Sequence, residues 1–245
     1  MRHTDYDDIA ETYDQRYDDA SAVGLERTLD ERVPADARVL EVGCGTGHWL
    51  EHLRPRVAFA FGLDPSTPML ARASGERVRA RAEALPFDAE TFDVVLLVNA
   101  LHHVGDKEGA LVEARRVLAP GGFLLTIGLD PHEGSDRWYV YDWFAETLAL
   151  DRERFPSTEW IRAAAGDAGF ARAESFVAEH LPDRVLADEA FERALDRKRT
   201  SQLSILSNEE YARGLANLRA AMAAGPVVLE ADLRLWGTIA LVDAD

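Results

Sequence analysis

Short runs of apolar, often β-branched residues alternate along the first half of the chain with segments whose apolar residues recur every three or four positions. The runs at 39–43, 57–63, 77–80 and 92–98 predict buried strands, and the segments between them predict helices. This alternation is typical of an α/β protein in which right-handed crossovers join parallel strands. Both faces of such a sheet are covered, which fits the continuous apolar run at 92–98.

The pattern changes beyond residue 128. A strand predicted at 170–179 is followed by helices predicted over 184–199 and 208–223, and a last strand is predicted within 229–242. About 45 residues therefore separate the last two strands. We predict a helical insertion at this point in the fold.

The turn after the first strand carries the clearest chemical signal. Glycine stands at every second position from Gly43 to Gly47, and a helix is predicted to begin near His48. Glycines let a ligand approach the backbone, and the N–H groups at a helix start attract polar or anionic groups. The acidic Glu41 lies in the strand end, and Asp64 ends the second strand, where a carboxylate can accept hydrogen bonds from both hydroxyls of a ribose.

Composition and charge narrow the class of protein. The chain has 245 residues and a net charge of −17, which argues against a nucleic-acid partner because phosphate binding requires a basic face. Its single cysteine, Cys44, allows no internal disulfide, and no apolar run approaches the length of a membrane span. With no hydrophobic signal region at the N-terminus, we predict a cytoplasmic protein without a membrane partner.

Five segments carry a resemblance to a known family. They are LEVGCGTG at 40–47, GLDPSTPML at 62–70, AEALPFDAETFDVVL at 82–96, NALHHV at 99–104 and ARRVLAPGGFLLTIG at 114–128. In this order and spacing they resemble the class I S-adenosylmethionine-dependent methyltransferases, in particular the methyltransferase type 11 group. The resemblance implies a doubly wound, Rossmann-like α/β sheet of seven mostly parallel strands with an antiparallel last strand. It also implies S-adenosyl-L-methionine as cofactor and S-adenosyl-L-homocysteine as product.

The resemblance also assigns cofactor contacts. The glycine turn would hold the methionine part, with Tyr13 of an N-terminal lid near its carboxylate; Asp64 would hold the ribose, and Met69 would pack near the adenine. The predicted cofactor-binding residues are Tyr13, Glu41, Gly43, Gly45, Gly47, Asp64, Pro65, Met69, Ala82, Glu83 and Asn99. A loosely docked helix is the alternative for the segment around Tyr13, and core packing is the alternative for Met69.

One position departs from the family. Where family members usually have Asp or Asn to accept from the adenine amino group, this chain has Arg81, and arginine has no hydrogen-bond acceptor. Two interpretations stay open: the Ala82 backbone and Glu83 recognise adenine instead, or Arg81 points to solvent.

Candidate residues for the methyl acceptor follow the fourth and fifth strands. His102 and His103 come directly after a strand end, where either could act as general base, or both could be packing residues of a turn. The aromatic segment 136–144 is predicted to cover the mouth of the site with Trp138, Tyr141 and Trp143 as substrate contacts, core packing being the alternative. No metal-ligand cluster is apparent, so no metal is predicted.

We predict a single methyltransferase domain over residues 1–245. Its parts are an N-terminal helical lid at 1–33, a core at 34–180, the helical insertion at 181–225 and the last strand at 226–245. The predicted protein is a monomer or a homodimer.

The predicted function is methyl transfer from S-adenosylmethionine to a small-molecule acceptor. Alternatives from other classes are a non-catalytic regulator that binds S-adenosylmethionine, a methyltransferase acting on a protein, and a nicotinamide-dependent oxidoreductase. The last is disfavoured because His48 stands where the third glycine of the dinucleotide fingerprint is expected.

Overall fold

The described part of the chain forms one large sheet with helices on both faces. The computed structural model describes residues 7, 10, 13, 14, 23–185, 195–197 and 200–244. Its strands are β1 Arg38–Val42, β2 Phe59–Asp64, β3 Arg77–Arg79, β4 Phe92–Val98, β5 Leu118–Leu129, β6 Arg137–Trp138, β7 Arg172–Val185 and β8 Glu230–Leu241. Its helices are α1 Val23–Arg32, α2 His48–Leu53, α3 Thr67–Arg72, α4 Lys107–Val117, α5 Tyr139–Trp143, α6 Thr147–Arg154, α7 Thr158–Asp167, α8 Ser201–Ser204 and α9 Asn208–Ala224.

The strand order is β3-β2-β1-β4-β5-β8, with β7 on the outer side of β8. Strands β1 to β5 pair in parallel, whereas β8 lies antiparallel between β5 and β7. This confirms the predicted mostly parallel sheet with an antiparallel last strand. An eighth strand, the two-residue β6, pairs with Asp232 and Ala231 at the start of β8.

Alternate residues of β4 enter two different cores, which is why its sequence is apolar throughout. Val95 and Leu97 belong to a core under α4 and α7, whereas Val94 and Leu96 belong to a core with Leu29 of α1 and Leu53 of α2. Both faces of the central sheet are therefore buried, as expected for a doubly wound fold. The carboxyl ends of β1, β2 and β4 meet at one edge.

A third core, here called the aromatic core, lies beside the start of β8. Most of its buried members come from β6, α5, α8, α9, the start of β8 and the residues that directly follow α5 and precede β8. They include Trp138, Tyr139, Phe144, Leu203, Leu218 and Leu229. The rings of Phe144 and Tyr211 stack with centroids 5.6 Å apart. The insertion thus joins the aromatic segment that follows β5.

The insertion starts later than expected. Strand β7 continues to Val185, so the helix predicted over 184–199 is wrong at its first residues, which continue the ladder with β8. Residues 186–194 of that predicted helix lie outside the described residues. The second predicted helix is confirmed as α9, which begins with the reciprocal bonds of Ser207 and Glu210. Among the described helices, none is long and apolar enough to span a membrane.

Candidate cofactor site

A cavity opens at the carboxyl ends of β1, β2 and β4. Its wall consists of residues from the glycine turn, the end of β2, the start of α3, the turn before β4 and the segment after β4. They are Tyr13, Val42, Gly43, Gly45, Leu63, Asp64, Pro65, Ser66, Met69, Arg81, Ala82, Glu83, Asn99, Ala100, His103 and Val104. Ligands of open α/β sheets bind at this kind of crevice.

The glycine turn brings β1 close to the segment after β4. All three glycines have positive φ, which is 77° at Gly43, 54° at Gly45 and 88° at Gly47. A Cβ atom at Gly43 would lie 2.6 Å from the Cβ atom of Ala100, so this position excludes a side chain for steric as well as conformational reasons. Gly43 and Cys44 donate backbone hydrogen bonds to the Leu63 carbonyl at 2.7 and 3.0 Å, which fixes the turn against β2.

Asp64 is held by backbone donors on both sides. Its Oδ2 accepts from the Gly45 N–H at 2.9 Å, and its Oδ1 accepts from the Ser66 N–H at 2.8 Å. Burial raises the pKa of Asp64, the two backbone hydrogen bonds oppose this, and the nearby Asp7 carboxylate adds to the rise. Each oxygen keeps a lone pair in addition to the one already used, so the carboxylate can accept bonds from two further hydroxyl groups.

Glu41 does not line the cavity, although it is one of the predicted cofactor residues. It is 1% exposed, and its Oε2 has no hydrogen-bond partner among the described residues. Burial, followed by the charge of Asp64, raises the pKa of Glu41 well above its usual value. Glu41 is therefore a buried group behind the glycine turn. Gly47 is also absent from the cavity wall, because it caps α2 and packs against Ala73.

The described residues of the N-terminal segment contact the elements around the cavity, and Tyr13 lines it. Ala10 packs against Met69, and Tyr13 comes within 3.8 Å of the position a Gly45 Cβ would take. The Thr46 hydroxyl donates to Asp14, and the Ser66 hydroxyl donates to Asp7. These contacts connect the segment to the glycine turn and to the start of α3.

The two histidines after β4 have different environments. His103 lines the cavity, whereas His102 is 5% exposed and stacks on Phe155 with ring centroids 3.8 Å apart. Burial, followed by the neighbouring charges, lowers the pKa of His102 well below its usual value, so it stays neutral. The structure thus departs from the prediction of His102 as a base, because packing against Phe155 directs its ring away from the cavity. The residue before this turn, Asn99, also lines the cavity and has a positive φ of 50°.

The predicted substrate contacts lie elsewhere. Trp138 is buried in the aromatic core, and Tyr141 and Trp143 pack against it. The Tyr141 hydroxyl donates to Asp151 at 2.9 Å. In the described part of the chain, none of the three lines the cavity, which corrects the expectation that this segment covers its mouth. Their physical role is to bury apolar area between α5 and the insertion.

Nine of the eleven predicted cofactor residues line the cavity, as does His103; the exceptions are Glu41 and Gly47. Sequence reasoning missed Ser66 as a wall residue. The sequence does contain a signal for Ser66, since it follows Asp64 by two residues and is a typical helix-capping residue. In the structure it caps α3 by accepting from the Met69 N–H at 3.3 Å. Within the described residues, no group of three or more His, Cys, Asp or Glu is arranged to hold a metal ion.

Comparisons with known proteins show similarity to methyltransferases. Residues 40–126 match the family model described as a methyltransferase domain. The chain is 33% identical over 165 residues to the phthiotriol/phenolphthiotriol dimycocerosates methyltransferase of Mycobacterium leprae, covering 64% of this chain and 60% of that protein. It is 30% identical over 171 residues to an uncharacterised methyltransferase of Geobacillus thermodenitrificans, covering 66% of this chain and 70% of that protein.

Among solved structures, the YcgJ protein of Bacillus subtilis superposes with a TM-score of 0.66 at 17% identity, covering 91% of this chain and 99% of that chain. Fold and site together define an α/β protein with a crevice at the carboxyl ends of its parallel strands. The chain belongs to the class I S-adenosylmethionine-dependent methyltransferases. The matched region spans only 60 to 65% of the length of several curated relatives, among them the Mycobacterium leprae protein.

Proposed function

We propose that this protein transfers a methyl group from S-adenosylmethionine to a small-molecule acceptor. The observation that carries the proposal is the Asp64 carboxylate, fixed between the N–H groups of Gly45 and Ser66 on the wall of the cavity. A carboxylate at the end of the second strand, next to a glycine turn, suits the two hydroxyls of a ribose.

Other wall residues would hold the rest of the cofactor. Gly43 and Gly45 leave backbone exposed to the methionine part, and Tyr13 lies over this end. Met69 and Ala82 offer apolar surface to the adenine, beside the carboxylate of Glu83. The polar and apolar groups of the cavity wall therefore suit a nucleoside that has a polar sugar and a base with apolar faces.

When bound, S-adenosylmethionine supplies a methyl group on a positively charged sulfur, which is a good leaving group for in-line displacement. The protein's own contribution is positioning and exclusion of water, which supply much of the rate when the leaving group is already good. His103 is the residue on the cavity wall that would take a proton from an acceptor that must lose one. His102, buried and neutral, would support the ring of His103, whose centroid is 3.8 Å away.

The choice of a small molecule as acceptor is supported by the name of one relative. The Mycobacterium leprae protein is named as a methyltransferase of phthiotriol and phenolphthiotriol dimycocerosates rather than of a protein. The described residues of 130–156 and 181–225 do not line the cavity, and both segments lie outside the matched family region. Cytoplasmic location and a monomeric or homodimeric state are part of the same proposal.

Calorimetric titration with S-adenosylmethionine and S-adenosylhomocysteine tests the proposal. We expect micromolar binding of both to the unaltered protein and a loss of about 100-fold in Asp64→Ala, because a charge-assisted pair of hydrogen bonds is removed. The matched control is Asp142→Ala, an exposed aspartate of α5 that does not line the cavity and is expected to leave affinity unchanged. Absence of binding, or equal affinity in Asp64→Ala, would contradict the proposal.

A further inference from the structure

A second, smaller cavity lies beside the turn that follows β4. The wall of this second cavity consists of the turn residues Leu101 and His102, the end of β5 at 126–129, the segment that joins α6 to α7, and Trp236 of β8. Among the described residues, it shares no wall residue with the cofactor cavity. It is therefore a separate space at the carboxyl ends of β4 and β5.

The two cavities are close neighbours. Consecutive histidines line different cavities, His103 the first and His102 the second, and their ring centroids are 3.8 Å apart. The cavities also approach each other between the strand ends, because the Asn99 Oδ1 atom is 3.9 Å from the position that a Cβ atom on Gly128 would take. Asn99 lines the cofactor cavity and Gly128 lines the second one, so a ligand in the second cavity would lie next to the cofactor.

The wall of the second cavity is uncharged. Among its described residues, none is Asp, Glu, Lys or Arg, and burial keeps His102 neutral by lowering its pKa. The nearby Arg154 guanidinium packs 5.3 Å from the centroid of the Phe155 ring and does not line the cavity. A charged group that moves from water into such surroundings loses hydration without gaining a partner. The wall therefore favours an uncharged occupant.

Trp236 brings a hydrogen-bond donor without a partner to this wall. Its Nε1 atom is buried, and no acceptor bonds to it in the described part of the chain. An indole nitrogen only donates, and a buried tryptophan usually has an acceptor for it. The stacked rings of His102 and Phe155 add aromatic surface to the same wall. An apolar group that carries an oxygen would satisfy the donor, whereas a hydrocarbon would leave it unpaired.

We propose that the second cavity receives an uncharged, apolar end group of the methyl acceptor, and that Trp236 Nε1–H donates to an oxygen of this group. The inference rests on the proposed function, because it concerns the acceptor of the same reaction. Trp236 is assigned as a specificity-determining residue. The acceptor class that follows is an uncharged molecule with oxygen on an apolar or aromatic frame, rather than an organic acid or an ammonium compound.

The test measures binding of three aromatic probes by equilibrium dialysis. The protein is first saturated with S-adenosyl-L-homocysteine, so that the cofactor cavity is occupied. The probes are 2-naphthol, naphthalene and 2-naphthoate, which share a ring system and differ in oxygen and charge. We expect 2-naphthol to bind about tenfold more tightly than 2-naphthoate, because the wall offers no partner for a charge. We also expect it to bind about threefold to tenfold more tightly than naphthalene, because it supplies an acceptor.

Two variants and a matched control locate the binding. Trp236→Phe removes the N–H and keeps an aromatic ring, so it should abolish the preference for 2-naphthol over naphthalene. Trp160→Phe makes the same chemical change on α7, outside both cavity walls, and should leave the preference unchanged. Gly128→Ala adds a Cβ atom at an ordinary contact distance where the cavities approach each other, and should weaken 2-naphthol about threefold or more.

Affinity for S-adenosylhomocysteine, measured in each protein, separates this inference from the proposed function. The inference is overturned, and the proposed function stands, if the loaded protein fails to bind 2-naphthol or binds 2-naphthoate as tightly. It is also overturned if Trp236→Phe, with its affinity for S-adenosylhomocysteine intact, keeps the preference for 2-naphthol. Loss of the preference in Trp236→Phe and its persistence in Trp160→Phe would support the inference. A chain that binds no S-adenosylhomocysteine contradicts the proposed function and, with it, the assignment of the second cavity to a methyl acceptor.

Discussion

The glycine-turn region and the aromatic core use their polar and aromatic side chains in opposite ways. At the glycine turn, the buried Asp64 carboxylate faces a cavity and is oriented by the backbone N–H groups of Gly45 and Ser66. In the aromatic core, polar atoms face one another, and Asp151 joins Tyr141 and Arg154 in a buried cluster. Buried charge is thus directed toward a ligand site in one region and into the structure in the other.

The region of the aromatic core also buries a charged side chain, Arg154, that lacks some of its hydrogen-bond partners among the described residues. Beside the aromatic core, Asp151 and Arg154 of α6 are 0% and 2% exposed and pair at 2.6 Å. The Arg154 Nε and Nη1 atoms are buried, and in the described structure neither has a hydrogen-bond partner. Removing the carboxylate that pairs with this cation among the described residues therefore gives the largest effect we expect.

Asp151→Ala should lower the free energy of unfolding by about 3–5 kcal/mol, because it leaves the Arg154 charge buried and unpaired. Urea unfolding measures this loss. Tyr141→Phe is the milder variant in the same cluster, since it removes one hydrogen bond to Asp151 and keeps the ring; a loss of about 1 kcal/mol is expected.

The comparison also predicts what these variants leave unchanged. Affinity for S-adenosylhomocysteine, measured below the urea transition, should be the same in Tyr141→Phe as in the unaltered protein. If Tyr141→Phe instead lost much affinity and little stability, Tyr141 would contact the ligand. The two regions would then not differ in the way described above.

In the glycine-turn region, the largest structural effect is expected at Gly43. Gly43→Ala introduces a Cβ atom at a φ of 77° and 2.6 Å from the Ala100 Cβ atom. Backbone strain and overpacking together should cost roughly 3 kcal/mol. Gly134→Ala is the matched control, because Gly134 has a φ of 80° with no atom within 4 Å of the new Cβ, and only the backbone cost of about 1 kcal/mol is expected.

Thermal and urea unfolding of the two glycine variants isolates the steric part of the effect. Equal losses in Gly43→Ala and Gly134→Ala would mean that the approach of the turn to Ala100 relaxes at little cost. Backbone conformation and ligand access would then explain the glycines of the turn. Packing against the segment after β4 would not.

How far the sequence predicts each region follows from the range of the contacts. Asp64, the glycine turn and Ser66 interact within about twenty residues, and a strand, a turn and a helix start fix their geometry. The alternation of strands and helices likewise predicts the sheet. Local pattern is sufficient there because parallel strands place their carboxyl ends at one edge.

The aromatic segment could not be assigned in the same way. Aromatic residues at helical spacing after a strand can either contact a ligand or pack in a core. Which of the two occurs here depends on α8 and α9, which lie some sixty residues further along the chain. The end of β7 was misplaced for a similar reason, because Arg184 and Val185 pair with Ala231 and Glu230. Long-range packing overrides local preference at both places.

The smallest expected effect concerns Glu41, the buried acid behind the glycine turn, and it depends on pH. The pKa of Glu41 is raised in the folded protein by burial and by Asp64, so the folded state holds a proton that the unfolded chain releases. Stability from protonated Glu41 is therefore fully present below the pKa of the unfolded chain. It is lost as the pH rises toward and through the higher folded pKa.

Glu41→Gln removes this titration and keeps the size of the side chain. Without cofactor, the variant and the unaltered protein should unfold at similar urea concentrations at acidic pH, below the unfolded pKa of Glu41. At alkaline pH the variant should be more stable by about 1–2 kcal/mol, because no ionised group is forced to stay buried. If the difference in unfolding free energy between Glu41→Gln and the unaltered protein does not change with pH, folding does not shift the pKa of Glu41. The acid would then have partners in solution that leave its charge satisfied, and the glycine-turn region would bury charge as the aromatic core does.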